Sequence, residues 1–328
     1  GWKTDVILPT YDDVLAAAER IRPYAVRTPL LQCPELSAAA GGTVLLKPEN
    51  LQHTGSFKFR GACNRIALVP KAERAAGVVA FSSGNHALGV AAAANLFGIG
   101  ATIVMPSDAP RTKMEGTRSL GARILTYDRL TADREVIAAR VLAEQGGTLI
   151  KPFDDAQIVA GQGTVGLEIL ADARALGLSP DQVLVPCGGG GLTAGVTLAL
   201  GDAAKVYSVE PRNFDGMRRS LAAGAPTTAP GTPVSVADSL MSAAPGAITF
   251  AVAAPRLQGG LTVSDDELLI AVSYALRRLK LVVEPGGVAA LAALLSGGLS
   301  GKDRVTVLVL SGGNTDFATL ADAVSRFP

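Results

Sequence analysis

Lys58 stands in KPENLQHTGSFKFRGA (Lys47 to Ala62), just after a Thr54-Gly55 turn signal and at the opening of a helical pattern. A lysine placed this way can lie against an apolar wall with its amine facing a ligand. Burial or a neighbouring cation lowers the pKa of such an amine and makes it a nucleophile, whose characteristic product is a Schiff base. Further on, Cys187 is followed by Gly188, Gly189, Gly190 and Gly191, which open into an apolar run. Four glycines let backbone N–H groups converge with no Cβ in the way, and a helix N-terminus adds its dipole. The loop reads as a phosphate cradle, with a plain flexible turn as the other reading. It lacks the Lys-Ser/Thr pair of a triphosphate-binding loop, and no acidic residue stands where a dinucleotide fold needs one, so a monophosphate fits best.

These groups need elements to position them. Thr10-x-x-Asp13 predicts a capped helix through Val14–Ile21. Beyond it the pattern predicts a strand at Thr43–Lys47, a helix at Phe57–Leu68, a strand at Val78–Phe81 and a helix at His86–Phe97. A strand at Ala101–Met105, a helix at Pro110–Leu120, a strand at Arg123–Tyr127 and a helix at Arg134–Glu144 follow. After a turn region come strands at Val183–Pro186, Val206–Glu210 and Val305–Leu310, with helices at Leu192–Leu200, Asp265–Leu279 and Gly287–Leu295. Continuous Val/Ile/Leu strands between helices imply parallel sheets covered on both faces, with ligands beyond the strands' carboxyl ends. Three strands run straight into small polar loops: Ser82-Ser83-Gly84-Asn85-His86, the glycine cradle, and Ser311-Gly312-Gly313-Asn314. A Schiff-base lysine, a monophosphate cradle and polar strand-end loops together suggest pyridoxal phosphate (PLP), whose phosphate, carbonyl and ring nitrogen each need a protein partner.

The 328 residues suggest two domains or one large one; 48% are hydrophobic, 18% charged, and the net charge is +1. That balance gives no electrostatic case for nucleic acid or an anionic membrane, and aromatics at 5% offer few stacking platforms. Cys33, Cys63 and Cys187 are far apart and read as reduced thiols of a cytoplasmic protein, while His53 and His86 lack the spacing of a zinc site. The apolar stretch Val78–Met105 is broken by polar residues and glycines, so it reads as strand, loop, helix and strand rather than a membrane span.

KPENLQHTGSFKFRGA, SSGNHALGVA, IVAGQGTVGLEIL, PCGGGGLTAG, VEPGGVAALAAL and LSGGNTD, running in order from about Thr28 to Asp316, resemble the serine/threonine dehydratases (ammonia-lyases) among fold type II PLP enzymes. The chain is also similar to serine racemases. The resemblance implies a tryptophan synthase β-like α/β fold with two open parallel-sheet domains and the cofactor in the cleft between them. The large domain is expected at 1–70 plus 157–328, with the small domain, 71–156, inserted. It implies that Lys58 forms the Schiff base and removes the substrate Cα proton, Phe57 packs on the ring, Gly188–Gly191 hold the phosphate, and Ser311 faces the pyridine nitrogen. A hydroxyl there does not enforce a protonated nitrogen, which favours elimination over transamination. Asn85 is implied to bond the ring hydroxyl, with a helix N-cap as its other reading.

Ser82, Ser83, Asn85 and His86 are implied to grip the substrate carboxylate, though His86 also reads as a satisfied helix-start histidine. Ser83 resembles the racemase residue that works on the ring face opposite the lysine; a capping serine is the alternative. Glu284 is expected near the cofactor, or as a helix-start carboxylate. Glu210 matches a monovalent- or divalent-cation position, but Gly216 replaces an expected acidic partner. Arg134 matches a racemase contact to a second carboxylate and otherwise reads as a solvated arginine. Phe153 replaces a racemase Asn. Leu88 in HALG, where many dehydratases have Gln, hints at a less polar pocket such as one for phenylserine.

The implied reaction is dehydration and deamination of a β-hydroxy-α-amino acid of the L-threonine/L-serine type to a 2-oxo acid and ammonia. A phenylserine or 3-hydroxyaspartate dehydratase, a serine or aspartate racemase, and a non-catalytic ligand-binding relative are the alternatives. A homodimer is expected, as is the short catabolic form, since little chain follows the Ser311 loop.

Overall fold

The computed structural model describes residues 6–82 and 84–328. Among them, ten strands form two sheets. They are β1 (Leu31–Gln32), β2 (Thr43–Pro48), β3 (Val78–Phe81), β4 (Ala101–Pro106), β5 (Arg123–Tyr127), β6 (Thr148–Leu149), β7 (Gln182–Pro186), β8 (Lys205–Pro211), β9 (Gly259–Val263) and β10 (Val305–Leu310). The six-stranded sheet has the order β1-β2-β10-β7-β8-β9 and is parallel except for β1. The four-stranded sheet, β5-β4-β3-β6, is parallel throughout. Strands such as β4, β7 and β10 read as near-continuous apolar runs because helices cover both their faces.

The first helix is Tyr11–Ile21, capped reciprocally by Thr10 and Asp13 as the spacing predicts: Asp13 N donates to Thr10 Oγ1 at 3.2 Å and Thr10 N to Asp13 Oδ2 at 2.7 Å. Two expected helices are altered. Asp265–Leu279 is α-helical only to Tyr274 and ends in a π-turn, and Gly286–Val288 forms a 3-10 turn before the helix Ala289–Leu295. The turn region expected after Glu144 contains a 20-residue helix, Ala156–Ala175. It shows no amphipathic stripe because most of its length is enclosed. Gly161, Gly163 and Gly166 let neighbouring backbones approach: a Cβ at 161 would stand 2.6 Å from Gly61 Cα, and one at 163 would stand 2.9 Å from Gly195 O. The helices Lys58–Ala67 and Gly191–Leu200, which carry Lys58 and follow the cradle, therefore seat on it backbone to backbone.

The same helices enclose a buried ionic cluster. Arg60 Nε and Nη2 donate to the Glu49 carboxylate at 2.5 and 2.9 Å, and Nη1 and Nη2 to Glu168 at 2.6 and 3.0 Å. Lys47 Nζ donates to Glu168 at 2.8 Å and to Thr28 O at 2.7 Å. Two cations thus balance two carboxylates, the condition under which buried charge is tolerated. No helix among the described residues is long and apolar enough to cross a membrane.

Candidate active site

The carboxyl ends of β3, β7 and β10 open on one cavity of about 260 Å³, lined by Phe57, Lys58, Asn85, Gly188–Gly191 and Ser311, among others. Ser56 sits in an isolated bridge with Gly312, and Phe57 N donates to Ser311 O at 3.1 Å, so the lysine and the β10 loop are fixed to each other. Lys58 opens its helix, with its amine donating to Pro152 O at 2.8 Å and lying 5.4 Å from the Phe57 ring centre. Burial pulls its pKa down to about 8.

The cradle is made by absence of side chains. A Cβ at 189 would collide with the Phe153 ring at 2.2 Å, and Gly190 adopts φ +99°, open to glycine at little cost. The helix Gly191–Leu200 follows, and its first N–H groups have no intrahelical acceptor. Thr249 Oγ1 holds the loop through Gly189 O at 2.7 Å, and Asp154 accepts from Ile248 N at 2.8 Å. Pro152, Phe153 and Asp154 thus touch the amine, the cradle and the helix Ala247–Ala253 in turn.

Asn85 is the first residue of the helix Asn85–Leu96, not its N-cap, and its amide is held by side chains. Nδ2 donates to Glu284 Oε1 and Oε2 at 3.0 and 3.2 Å, and Oδ1 accepts from Asn314 Nδ2 at 2.9 Å. An amide has two N–H groups, and Nδ2 has no acceptor but Glu284 among the described residues, so a ligand in the cavity could take the second. Glu284 does not line the cavity: it stands behind Asn85, accepts from Asn314 N at 2.8 Å, and is pushed above the usual carboxylate range by burial. Glu284 thus stands near the expected cofactor region, one residue back from the cavity wall, with Asn85 between.

Ser82 lines the cavity and accepts from Gly84 N at 3.1 Å. Ser83 lies outside the described residues. His86 lines the cavity, but its Nε2–H donates to Ile150 O at 2.9 Å, and burial and the Lys58 charge pull its pKa down to about 3. It is therefore a neutral, bonded histidine. Arg134 opens the helix Arg134–Gln145 behind the Asp133 cap and lies 5.1 Å from the Phe81 ring centre on the cavity wall.

Glu210 lies away from the cavity. Its carboxylate accepts from Met217 N and Arg218 N at 2.8 and 3.0 Å, while Asp215 pairs with Arg218 and Arg219. Burial raises the Glu210 pKa to about 8, and no group of three metal-ligating acids, histidines or cysteines occurs among the described residues. Glu210 thus accepts from the first N–H groups of the helix Gly216–Ala223, with Asp215 beside it. Leu88 is a correction: it is buried against Gly116 and does not line the cavity, so the phenylserine hint loses its basis.

Several cavity residues escaped the sequence reading, three of them polar or cationic groups near the amine and the walls. Lys113 and Arg129 are cations on its wall, and the Pro152 carbonyl receives Lys58. The available signal for Lys113 was its spacing from Thr117: two polar residues on the buried face of the helix Arg111–Ser119.

The amine, cradle, Asn85 amide and Ser311 fit PLP: each polar part of the cofactor has a partner, and the glycines leave the room that side chains would fill. Residues 21–312 match the family described as "Pyridoxal-phosphate dependent enzyme". The chain is 43% identical to the L-threo-3-hydroxyaspartate ammonia-lyase of a Pseudomonas species, across 96% of this chain and 98% of that one. It is 39% identical to the L-threonine ammonia-lyase of Thermotoga maritima, across 94% and 76%. The maize serine racemase structure superposes with a TM-score of 0.90 at 35% identity, covering 98% of each chain. The chain belongs to the fold type II pyridoxal-phosphate dependent enzymes, in their ammonia-lyase and racemase branch.

Proposed function

We propose that this chain is an ammonia-lyase that converts a β-hydroxy-α-amino acid carrying a second carboxylate, with L-threo-3-hydroxyaspartate as the substrate, to a 2-oxo acid and ammonia. When bound, PLP withdraws electrons from the substrate Cα. Lys58 Nζ takes the Cα proton; burial has brought its pKa near neutrality, where a base is most effective. The β-hydroxyl takes up a proton and leaves Cβ as water while the Cα–H electrons form the Cα–Cβ double bond, so the proton that Lys58 takes balances the one the leaving group gains. The resulting enamine takes up water and releases ammonia, so one amino acid yields one 2-oxo acid and one ammonia. Ser82 and the N-terminus of the helix Asn85–Leu96 would receive the α-carboxylate, and Ser311, uncharged, would face the pyridine nitrogen.

One observation carries the choice of substrate. Arg134, stacked on Phe81, and Arg129, held by Asp108 at 2.8 Å, line the same cavity as Lys58. A guanidinium presents paired N–H groups that match a carboxylate. Threonine and serine undergo the same elimination but have nothing for such a group to hold. The test is 2-oxo acid release from each stereoisomer of 3-hydroxyaspartate, threonine and serine. L-threo-3-hydroxyaspartate is expected to lead in kcat/KM by roughly tenfold or more, equal to about 1.4 kcal/mol, and Arg134→Leu to remove that lead without affecting serine. A lead for threonine would overturn the substrate; release from none would overturn the lyase.

A further inference from the structure

Lys113 is a buried cation for which the elimination has no use. It rises from the helix Arg111–Ser119 and is only 4% exposed. Its ammonium lies 3.2 Å from Asp238 Oδ2 and 3.9 Å from Glu284 Oε1. Its stem fills the place of a side chain at Gly84: a Cβ there would meet Lys113 Cδ at 2.6 Å. One residue therefore touches the loop that precedes Asn85, the Asp238 segment of the opposite wall, and the carboxylate behind Asn85.

Glu284 is buried and has no other cation within salt-bridge distance among the described residues. It is also the acceptor that fixes Asn85, whose Oδ1 is held by Asn314. We propose that Lys113 is a positioning residue for the cofactor: its charge secures the Glu284–Asn85–Asn314 hydrogen-bond ring, which leaves the second N–H of Asn85 for the PLP ring. A neutral Glu284 would carry an O–H of its own and no longer hold the amide in one sense. Burial opposes the charge on Lys113, yet Glu284 and Asp238 more than offset it and raise its pKa. Asp238 is 42% exposed at its side chain, so water screens it and Glu284 is the partner that depends on the lysine.

The experiment is a PLP titration of protein stripped of cofactor, with the visible absorption maximum of the bound cofactor as second readout. Lys113→Met keeps the stem and removes the charge. It is expected to weaken PLP binding by roughly tenfold or more and to move the maximum, because an unpaired carboxylate remains buried. Lys113→Arg is expected to stay close to wild type. Glu284→Gln added to Lys113→Met is expected to recover most of the affinity, since it removes the unpaired charge and leaves Asn85 an amide oxygen as acceptor. Wild-type affinity and spectrum in Lys113→Met would overturn the proposal, as would a double variant no better than the single one. If Lys113→Met fails to fold, the double variant decides: recovered folding and binding support the charge role, and continued failure overturns it.

Discussion

Replacing Arg60 with Met tests whether charge balance seats the helix that presents Lys58. The guanidinium bridges Glu49 and Glu168 through four contacts of 2.5–3.0 Å, with no solvent exposure of its own. Methionine supplies a stem but leaves Lys47 alone against two carboxylates, one of which, Glu49, is fully buried. Removing one member of a buried ion pair costs about 3–5 kcal/mol, and at roughly 2–4 °C per kcal/mol that lowers the unfolding midpoint by roughly 6–20 °C. Adding Glu49→Gln leaves Lys47 paired with Glu168 and is expected to recover at least half of the loss. The pH dependence has a definite sign. Burial opposes the charge on Glu168, but Arg60 and Lys47 hold its carboxyl below the usual carboxylate value, so in wild type it contributes stability that is present above that value and lost as pH falls. Arg60→Met removes most of that contribution, so the deficit is larger near about pH 8 than near about pH 4. Thermal unfolding followed by circular dichroism at both values is the assay. A midpoint within about 2 °C of wild type, or a double variant weaker than the single one, refutes the reasoning.

In cofactor-free protein, labelling of Lys58 by an amine-directed reagent should rise with a midpoint near pH 8, read by peptide mass spectrometry. A midpoint at the ordinary lysine value would contradict its burial. Because the folded value lies below the unfolded one, burial of Lys58 costs most stability below pH 8, and that cost fades as pH climbs to 10.5. Gly189→Ala drives a methyl into the Phe153 ring at 2.2 Å and should weaken PLP binding by roughly tenfold or more. Phe153→Ala in the same chain should restore part of it, and binding unaffected by Gly189→Ala would show that the loop yields. Gly161→Ala meets Gly61 Cα at 2.6 Å and should cost about 1–3 kcal/mol in denaturant unfolding.

The sequence made most of this site legible where function is local. Lys58, the cradle and the Asn85 and Ser311 loops each follow a turn or a strand, and the strands β3, β5 and β10 lie at the predicted bounds. Groups that act across the fold left weaker traces. Glu284 is 199 residues from Asn85 in the chain, so its place behind the amide had to come from tertiary structure. Lys113 looked like one more charged helix residue because its partners, Asp238 and Glu284, belong to other segments. The Pro152 carbonyl carries no residue-type signal at all. The helix Ala156–Ala175 was hidden for a different reason: enclosure removes the apolar–polar alternation that marks a surface helix.

The glycine contacts of that helix bear on how the enzyme can be altered. Where side chains meet, a change on one surface can be absorbed by rotamer shifts on the other. A Cβ at Gly161 would meet Gly61 Cα and Arg60 O, and one at Gly195 would meet Gly163 N and Val159 O, so at these two positions an added atom must move backbone rather than a rotamer. The helices that begin at Lys58 and Gly191 thus stand on a footing with almost no adjustable parts. Substrate range is therefore free to drift on the Arg129 and Arg134 wall while amine and phosphate loop keep their separation. A library aimed at new substrates belongs on that wall, and one aimed at the glycine seam would return mostly chains of reduced stability.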